Sequence, residues 1–226
     1  MDFSFLPKYY PFFVDGAKVT LVLSVFTVFF GVILGVLLAL MRMSRISILK
    51  ILATAYIEFI RGTPLLVQLY IIYYGLPKIG ITFPDVPALG SAFPDFMAGV
   101  LTLSINSAAY VAETFRGGIQ AVDKGQMEAA RSLGMPHAMA MRHIILPQAL
   151  RNVLPALGNE FIVVIKESSI VSIIGIGELM YKADTVRGNI FQPFEPLILA
   201  ALIYFVMTFT LSKLLGVAER RMRTSD

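Results

Sequence analysis

The sequence contains no cysteine, and only 15% of its 226 residues are charged. The first absence excludes disulfides and thiolate metal sites, and leaves the redox compartment unreadable. The second excludes an ordinary soluble domain, in which about 25% of residues are charged. Histidine is scarce as well. His137 and His143 are six residues apart and face different sides of any helix carrying both, so they are read as solvated loop residues, not as a metal pair. No G-x-x-x-x-G-K-[ST] occurs, and Gly175-Ile176-Gly177 lacks the third glycine of a dinucleotide fingerprint. No nucleotide site is therefore expected in this chain. There is no internal repeat of the kind common in secondary transporters, and no nucleophile–base pair or metal cluster that would mark a membrane enzyme. The net charge of +4 forms no basic patch interleaved with aromatics, so a nucleic-acid partner is excluded.

What is present is apolar, in long blocks. Residues 19–41 run 23 positions without a charge, and 96–112 and 196–212 run 17 each. About 20 mainly apolar residues cross a bilayer as a helix. Blocks of this kind are not the short, period-two segments of a membrane barrel. Two further stretches are apolar with a few charges: 51–75 holds Glu58 and Arg61, and 147–176 holds Arg151, Glu160, Lys166 and Glu167. Counted as spans they bring the total to five, in one transmembrane domain covering residues 1–226. Lys8 and Asp15 precede a first run too long for a signal-peptide core, so that run is expected to remain as a span. Gly31 and Gly35 within it form a small-xxx-small pattern that lets helices approach closely.

Charge placement orients the spans. With the N-terminus outside, the cytoplasmic side carries Arg42, Arg45 and Lys50, then Arg116, Lys124, Arg131, Arg142 and Arg151, then Lys213, Arg220, Arg221 and Arg223. That is 12 basic residues, against 5 outside: Lys8, Lys18, Lys78, Lys182 and Arg187. The excess predicts an N-terminus outside and a C-terminus in the cytoplasm. The outer connections, residues 76–95 with Pro77, Gly80, Pro84, Pro87, Gly90 and Pro94, and residues 178–195, are read as loops.

The polar stretch 116–142 is the long insertion on the inner side. Residues 125–133 form a short helix of strong helix formers, with Gly134 as its C-terminal cap and Pro136 as its stop. Met135, Met139 and Met141 are read as a packing face. The sequence Glu128-Ala129-Ala130-Arg131-Ser132-Leu133-Gly134, followed after nine residues by Ile144-Ile145-Leu146-Pro147, resembles the EAA motif of ABC importer permeases at every specified position. Residues 58–68, with Glu58, Arg61, Thr63, Pro64 and Gln68, and residues 156–161, with Asn159 and Glu160, look like the polar amino-acid branch of that family (the histidine, arginine and glutamine type).

The resemblance implies an all-α integral membrane permease in a prokaryotic plasma (inner) membrane, not itself an enzyme. Segment 122–147 would hold the coupling helix, with Glu128, Ala129, Ala130, Gly134, Leu146 and Pro147 meeting an ATPase. The implied partners are two ABC ATPase subunits carrying ATP and Mg, a second permease subunit with a homodimer favoured, and an extracytoplasmic amino-acid-binding protein. No metal or cofactor is expected in this chain.

Ionisable groups inside spans are costly and usually functional. Placed by the midpoints of their spans, Asn159 and Glu160, Asn106 with Tyr110 a turn away, and Thr63 flanked by Arg61 and Gln68 fall at similar depth. Arg61 suits a substrate carboxylate, Asn106 and Asn159 suit its amino group, and Glu160 suits a basic side chain. The competing expectation is that Glu58 and Arg61, three apart, neutralise each other, and that Glu160 pairs with an arginine of another span. Pro64 removes a donor, frees the carbonyl of Ile60 and is expected to kink the second span.

Overall fold

The computed structural model describes residues 1–84, 86 and 92–223, and among them all regular structure is helical. Pro87 and Gly90 of the first outer connection lie outside the described residues. Helix α1 (Leu6–Arg42) is 37 residues long, about 55 Å at 1.5 Å per residue. A hydrocarbon core is only ~30 Å thick, so α1 has turns to spare at its beginning. That surplus has its own packing partners. Phe5, Tyr9 and Phe13 form a cluster with Leu179, Ala183 and Val186 of helix α8 (Leu179–Ile190) and Ala200 of helix α9 (Glu195–Arg223).

The rest of α1 lies along α4 (Phe93–Gln120), the most extensive helix pair in the molecule. Two glycines make this approach possible. A Cβ at Gly35 would stand 2.5 Å from Val111 Cγ1 and 2.9 Å from the Ala108 carbonyl oxygen, and one at Gly31 would stand 3.0 Å from Ser107 Oγ. The small-xxx-small pattern is thus used inside the chain. α4 answers with small residues of its own: Ser104, Ser107, Ala108, Ala109 and Ala112 are all buried. It packs on α1, α2, α3 and α7 and is the central helix.

Residues 51–75 do not form one kinked span. They divide between α2 (Ser47–Gly62) and α3 (Leu65–Lys78), separated at Thr63 and Pro64, whose backbones are extended. The cause is local. A residue before proline is driven out of the α region, and proline cannot donate to the preceding turn. Thr63 and Pro64 therefore break the helix instead of bending it.

Two other connections are more ordered than the sequence implies. Residues 178–195, read as a loop, contain α8. Its N-cap is Glu178, a fully buried carboxylate that accepts from the Met180 and Tyr181 amides (2.9 and 2.7 Å) and from Tyr204 Oη of α9 (2.7 Å). Its acceptors close the first turn of α8 and also tie that turn to α9, while the Leu179 amide donates to Thr20 Oγ1 of α1. The insertion 116–142 is largely helical: α4 runs on to Gln120, and α5 (Lys124–Ser132) and α6 (His137–Ala140) follow. A π-helical turn, Met141–Ile145, then joins α6 to α7 (Leu146–Glu167). His137 and His143, read as loop residues, are exposed but lie on these helical turns.

Two described helices, α1 and residues Glu195–Arg220 of α9, are long and apolar enough to cross a membrane. On α9, Leu202, Phe205, Val206 and Phe209 are exposed, a surface suited to lipid or a partner and not to water.

Candidate functional site

The break between α2 and α3 leaves carbonyl groups without helical partners, and the side chains that satisfy them begin the site. Thr63 Oγ1 donates to the Phe59 carbonyl (2.9 Å). Gln68 Nε2 donates to the Ile60 carbonyl (2.7 Å) and to Thr63 Oγ1 (2.9 Å). The carbonyl that Pro64 frees is thus taken by the first turn of α3. Gln68 is buried, and its Oε1 accepts from Asn106 Nδ2 of α4 at 2.9 Å. A buried amide left unpaired costs about 1–3 kcal/mol, so the Asn106–Gln68 pair locks the interrupted segment against the central helix.

The next residue of α4 continues the constellation on its other side. Ser107 Oγ donates to Glu160 Oε1 of α7 at 2.7 Å. Glu160 is half-buried; Asn159 beside it is exposed. One turn further along α4, the Tyr110 ring lies 5.4 Å from the Arg61 guanidinium carbon, and both side chains are exposed. Of the six residues singled out as substrate-binding, Asn106 and Gln68 are joined to each other in the interior. Glu160, Arg61 and Tyr110 are ranged along one stretch of α4, where residues three apart lie about 5–6 Å from each other.

Arg61 does not pair with Glu58. It faces Glu113 of α4, with 3.7 Å between Nη1 and Oε2. Glu113 is the functional candidate that reading the sequence missed. Arg116, three residues on, grips it through Nε and Nη2 (3.1 and 2.8 Å to Oε2), and Arg42 of α1 is its third partner. One carboxylate thus faces three guanidiniums. The signal lay in plain view: Arg42 and Glu113 end their apolar runs on the same predicted side of the membrane, which placed opposite charges at one depth. Glu160 likewise takes the Ser107 hydroxyl and not an arginine.

At the same end of the bundle stands the motif segment. α5 opens with the Asp123 side chain accepting from the Gly125 amide (2.6 Å). It closes with Gly134 at φ +84°. There the Gly134 amide donates to Arg131 and the Met135 amide to the Ala130 carbonyl, which is a Schellman termination. Glu128 and Ala129 are exposed, and Leu133 more so, at 85%. Ala130 differs from the expectation: it is buried within its own chain, and Met127, three residues before it, packs against the cluster of Val122, Ile145 and Ala149. Leu146 and Pro147 are exposed at the start of α7. The methionines are divided, with Met141 packed against the Val122 cluster and Met139 exposed.

Interrupted helices with polar groups at the break, a polar constellation between spans and a capped helix outside them define an integral-membrane transport component. Residues 31–224 match the family model described as binding-protein-dependent transport system inner membrane component, and the chain belongs to that family. Among its relatives, the putative glutamine transport system permease protein GlnP of Rickettsia bellii is 43% identical, across 99% of this chain and all of that one. The arginine transport system permease protein ArtQ of Bacillus subtilis is 41% identical, across all of this chain and 99% of that one. The crystal structure of an amino acid ABC transporter with histidines superposes at a TM-score of 0.90, with 55% identity and coverage of 98% of this chain and 99% of that one.

Proposed function

We propose that this chain is the permease subunit of an ATP-driven importer of polar amino acids, and that its substrate lies against α4 between Glu160 and Arg61. One observation carries the reading: a carboxylate from α7 and a guanidinium from α2 meet the central helix at Ser107 and Tyr110, one turn apart. Opposite charges at that spacing match a zwitterion. Arg61 takes the substrate carboxylate, Asn159 its amino group, and Glu160 the side chain of a basic amino acid, with Tyr110 as the wall. Asn106 and Gln68 act behind them by holding the helix break. The names of the relatives, for glutamine and for arginine, support polar substrates and leave the choice to uptake measurements.

Five crossings serve this function: α1, α2 with α3 as one interrupted crossing, α4, α7 and α9, with the N-terminus outside and the C-terminus in the cytoplasm of a prokaryotic cell. α8 then lies at the outer surface and α5 at the inner one, where Glu128, Ala129, Leu133 and Gly134 meet an ATPase. ATP and Mg belong to two such partner subunits, because the chain carries no phosphate-binding loop. A binding protein delivers the substrate from outside, and a second copy of the chain completes the pathway. The test is uptake by the complex reconstituted in proteoliposomes, with a panel of labelled arginine, histidine, glutamine and glutamate. ATP-dependent uptake of at least one is expected; transport of none, by a complex with intact ATPase activity, overturns the reading.

A further inference from the structure

Glu113 is paired with more cations than it needs. Its acceptors are filled by the two-point grip of Arg116 and by Arg42. Arg61, at 3.7 Å from Oε2, stands outside hydrogen-bond reach and feels the carboxylate only as a charge. The Arg61 side chain is 44% exposed and Glu113 17%. A last-turn arginine often caps the carbonyls that end its helix, but here Thr63 and Gln68 already take those of Phe59 and Ile60. Arg61 is therefore tethered by a ring face and one long ion pair, and its departure leaves Glu113 still doubly paired. Three guanidiniums against one carboxylate also leave two positive charges unbalanced, a field that draws in an anion.

We propose that Glu113 is a positioning residue that holds Arg61 in reserve, and that the α-carboxylate of an arriving amino acid draws Arg61 from it. Glu113 then competes with substrate for one guanidinium, and reclaims it when substrate leaves. Arg116 sets the strength of that competition by occupying Glu113. This inference rests on the reading of Arg61 as the carboxylate-binding residue.

The test is equilibrium binding of labelled L-arginine and L-glutamine to the purified permease–ATPase complex, alongside uptake rates in proteoliposomes. Glu113→Gln removes the competitor. Its dissociation constant should fall, by up to about fivefold, the worth of a half-exposed ion pair, while maximal uptake slows because Arg61 is no longer reclaimed. Glu113→Asp should restore both values towards wild type. Arg116→Gln frees Glu113 to hold Arg61 harder, and the dissociation constant should rise. A merely structural role gives no such opposed pair, since lost packing never tightens binding. In an Arg61→Gln background, neither change should have any further effect.

Unchanged binding in Glu113→Gln and Arg116→Gln, with Arg61→Gln weakening it, overturns the inference and leaves the substrate reading standing. Unchanged binding in Arg61→Gln overturns both. If Glu113→Gln fails to assemble, Arg116→Gln decides alone: tighter or unchanged binding sinks the proposal.

Discussion

At Glu160 a carboxylate sits half-buried on α7 with the Ser107 hydroxyl as its donor. A carboxylate at membrane depth costs roughly 2.5–3.5 kcal/mol on insertion scales, and one neutral hydroxyl does not offset that. On the function proposed above, a substrate cation does. Glu160→Gln keeps the shape and removes the charge, so uptake of arginine should fall by about 1.5–3 kcal/mol in transition free energy, the worth of a charge-assisted hydrogen bond. Glutamine uptake should fall much less and the melting temperature should stay near wild type. Parallel uptake assays and a thermal melt check this; equal loss for both substrates would make Glu160 structural. Gln68 should behave in the opposite way. Gln68→Leu strands the Ile60 carbonyl and Asn106, at a cost of about 1–3 kcal/mol, so the melting temperature should drop whatever the substrate. Both residues stood out in the sequence as polar groups in apolar runs. Their different partners, a hydroxyl for Glu160 and a second amide for Gln68, were not legible, because those partners are 53 and 38 positions away.

Among the elements, α5 was the most legible, because its grammar is local. Asp123 caps it, good helix formers fill it, and Gly134 ends it. A Cβ at Gly134 would meet nothing within 4 Å in this chain, so replacing it costs only backbone strain, about 1–2 kcal/mol for an L-residue held at positive φ. Gly134→Asp should leave membrane insertion and helix content unchanged while weakening capture of the ATPase subunit in a pull-down. Normal capture with normal uptake would remove the coupling role. Gly35 is the reverse case. Gly35→Val would drive a branched side chain into Val111 and the Ala108 carbonyl, and overpacking of this kind costs about 1–3 kcal/mol or more. A lower melting temperature in detergent is expected, with ATPase capture in the pull-down unchanged. The α2–α3 break was legible only as a kink. Pro64 announced an irregularity; the extended backbone it imposes on Thr63 parts the helix, and Thr63 and Gln68 then take the freed carbonyls.

At the scale of the whole molecule, a pathway needs walls on every side. Here Arg61, Tyr110 and Asn159 stand exposed along one chain, and so do apolar residues of α1 and α9 such as Phe29, Leu37, Phe205 and Phe209. A surface carrying both kinds of residue suits lipid on one side and the proposed second permease on another. Native mass spectrometry of the purified complex should therefore show two permease chains with two ATPase subunits. A functional complex with a single permease would contradict this.

The sequence by itself determined the class of protein. Apolar runs of membrane length and an uneven sharing of basic residues between alternate connections follow from composition and order alone. So do a helix with its glycine cap and the family motif, each written within a few residues of its neighbours. Tertiary structure decided the pairings. Arg61 turned to Glu113 and not to Glu58, Glu160 to Ser107 and not to an arginine, and Ala130 into the interior. The physical reason is the same each time. An ion pair or hydrogen bond is won by whichever group the packing brings within about 3–4 Å. On these helices that was set by the close approach of α1, α2 and α7 to one small-residue helix, α4.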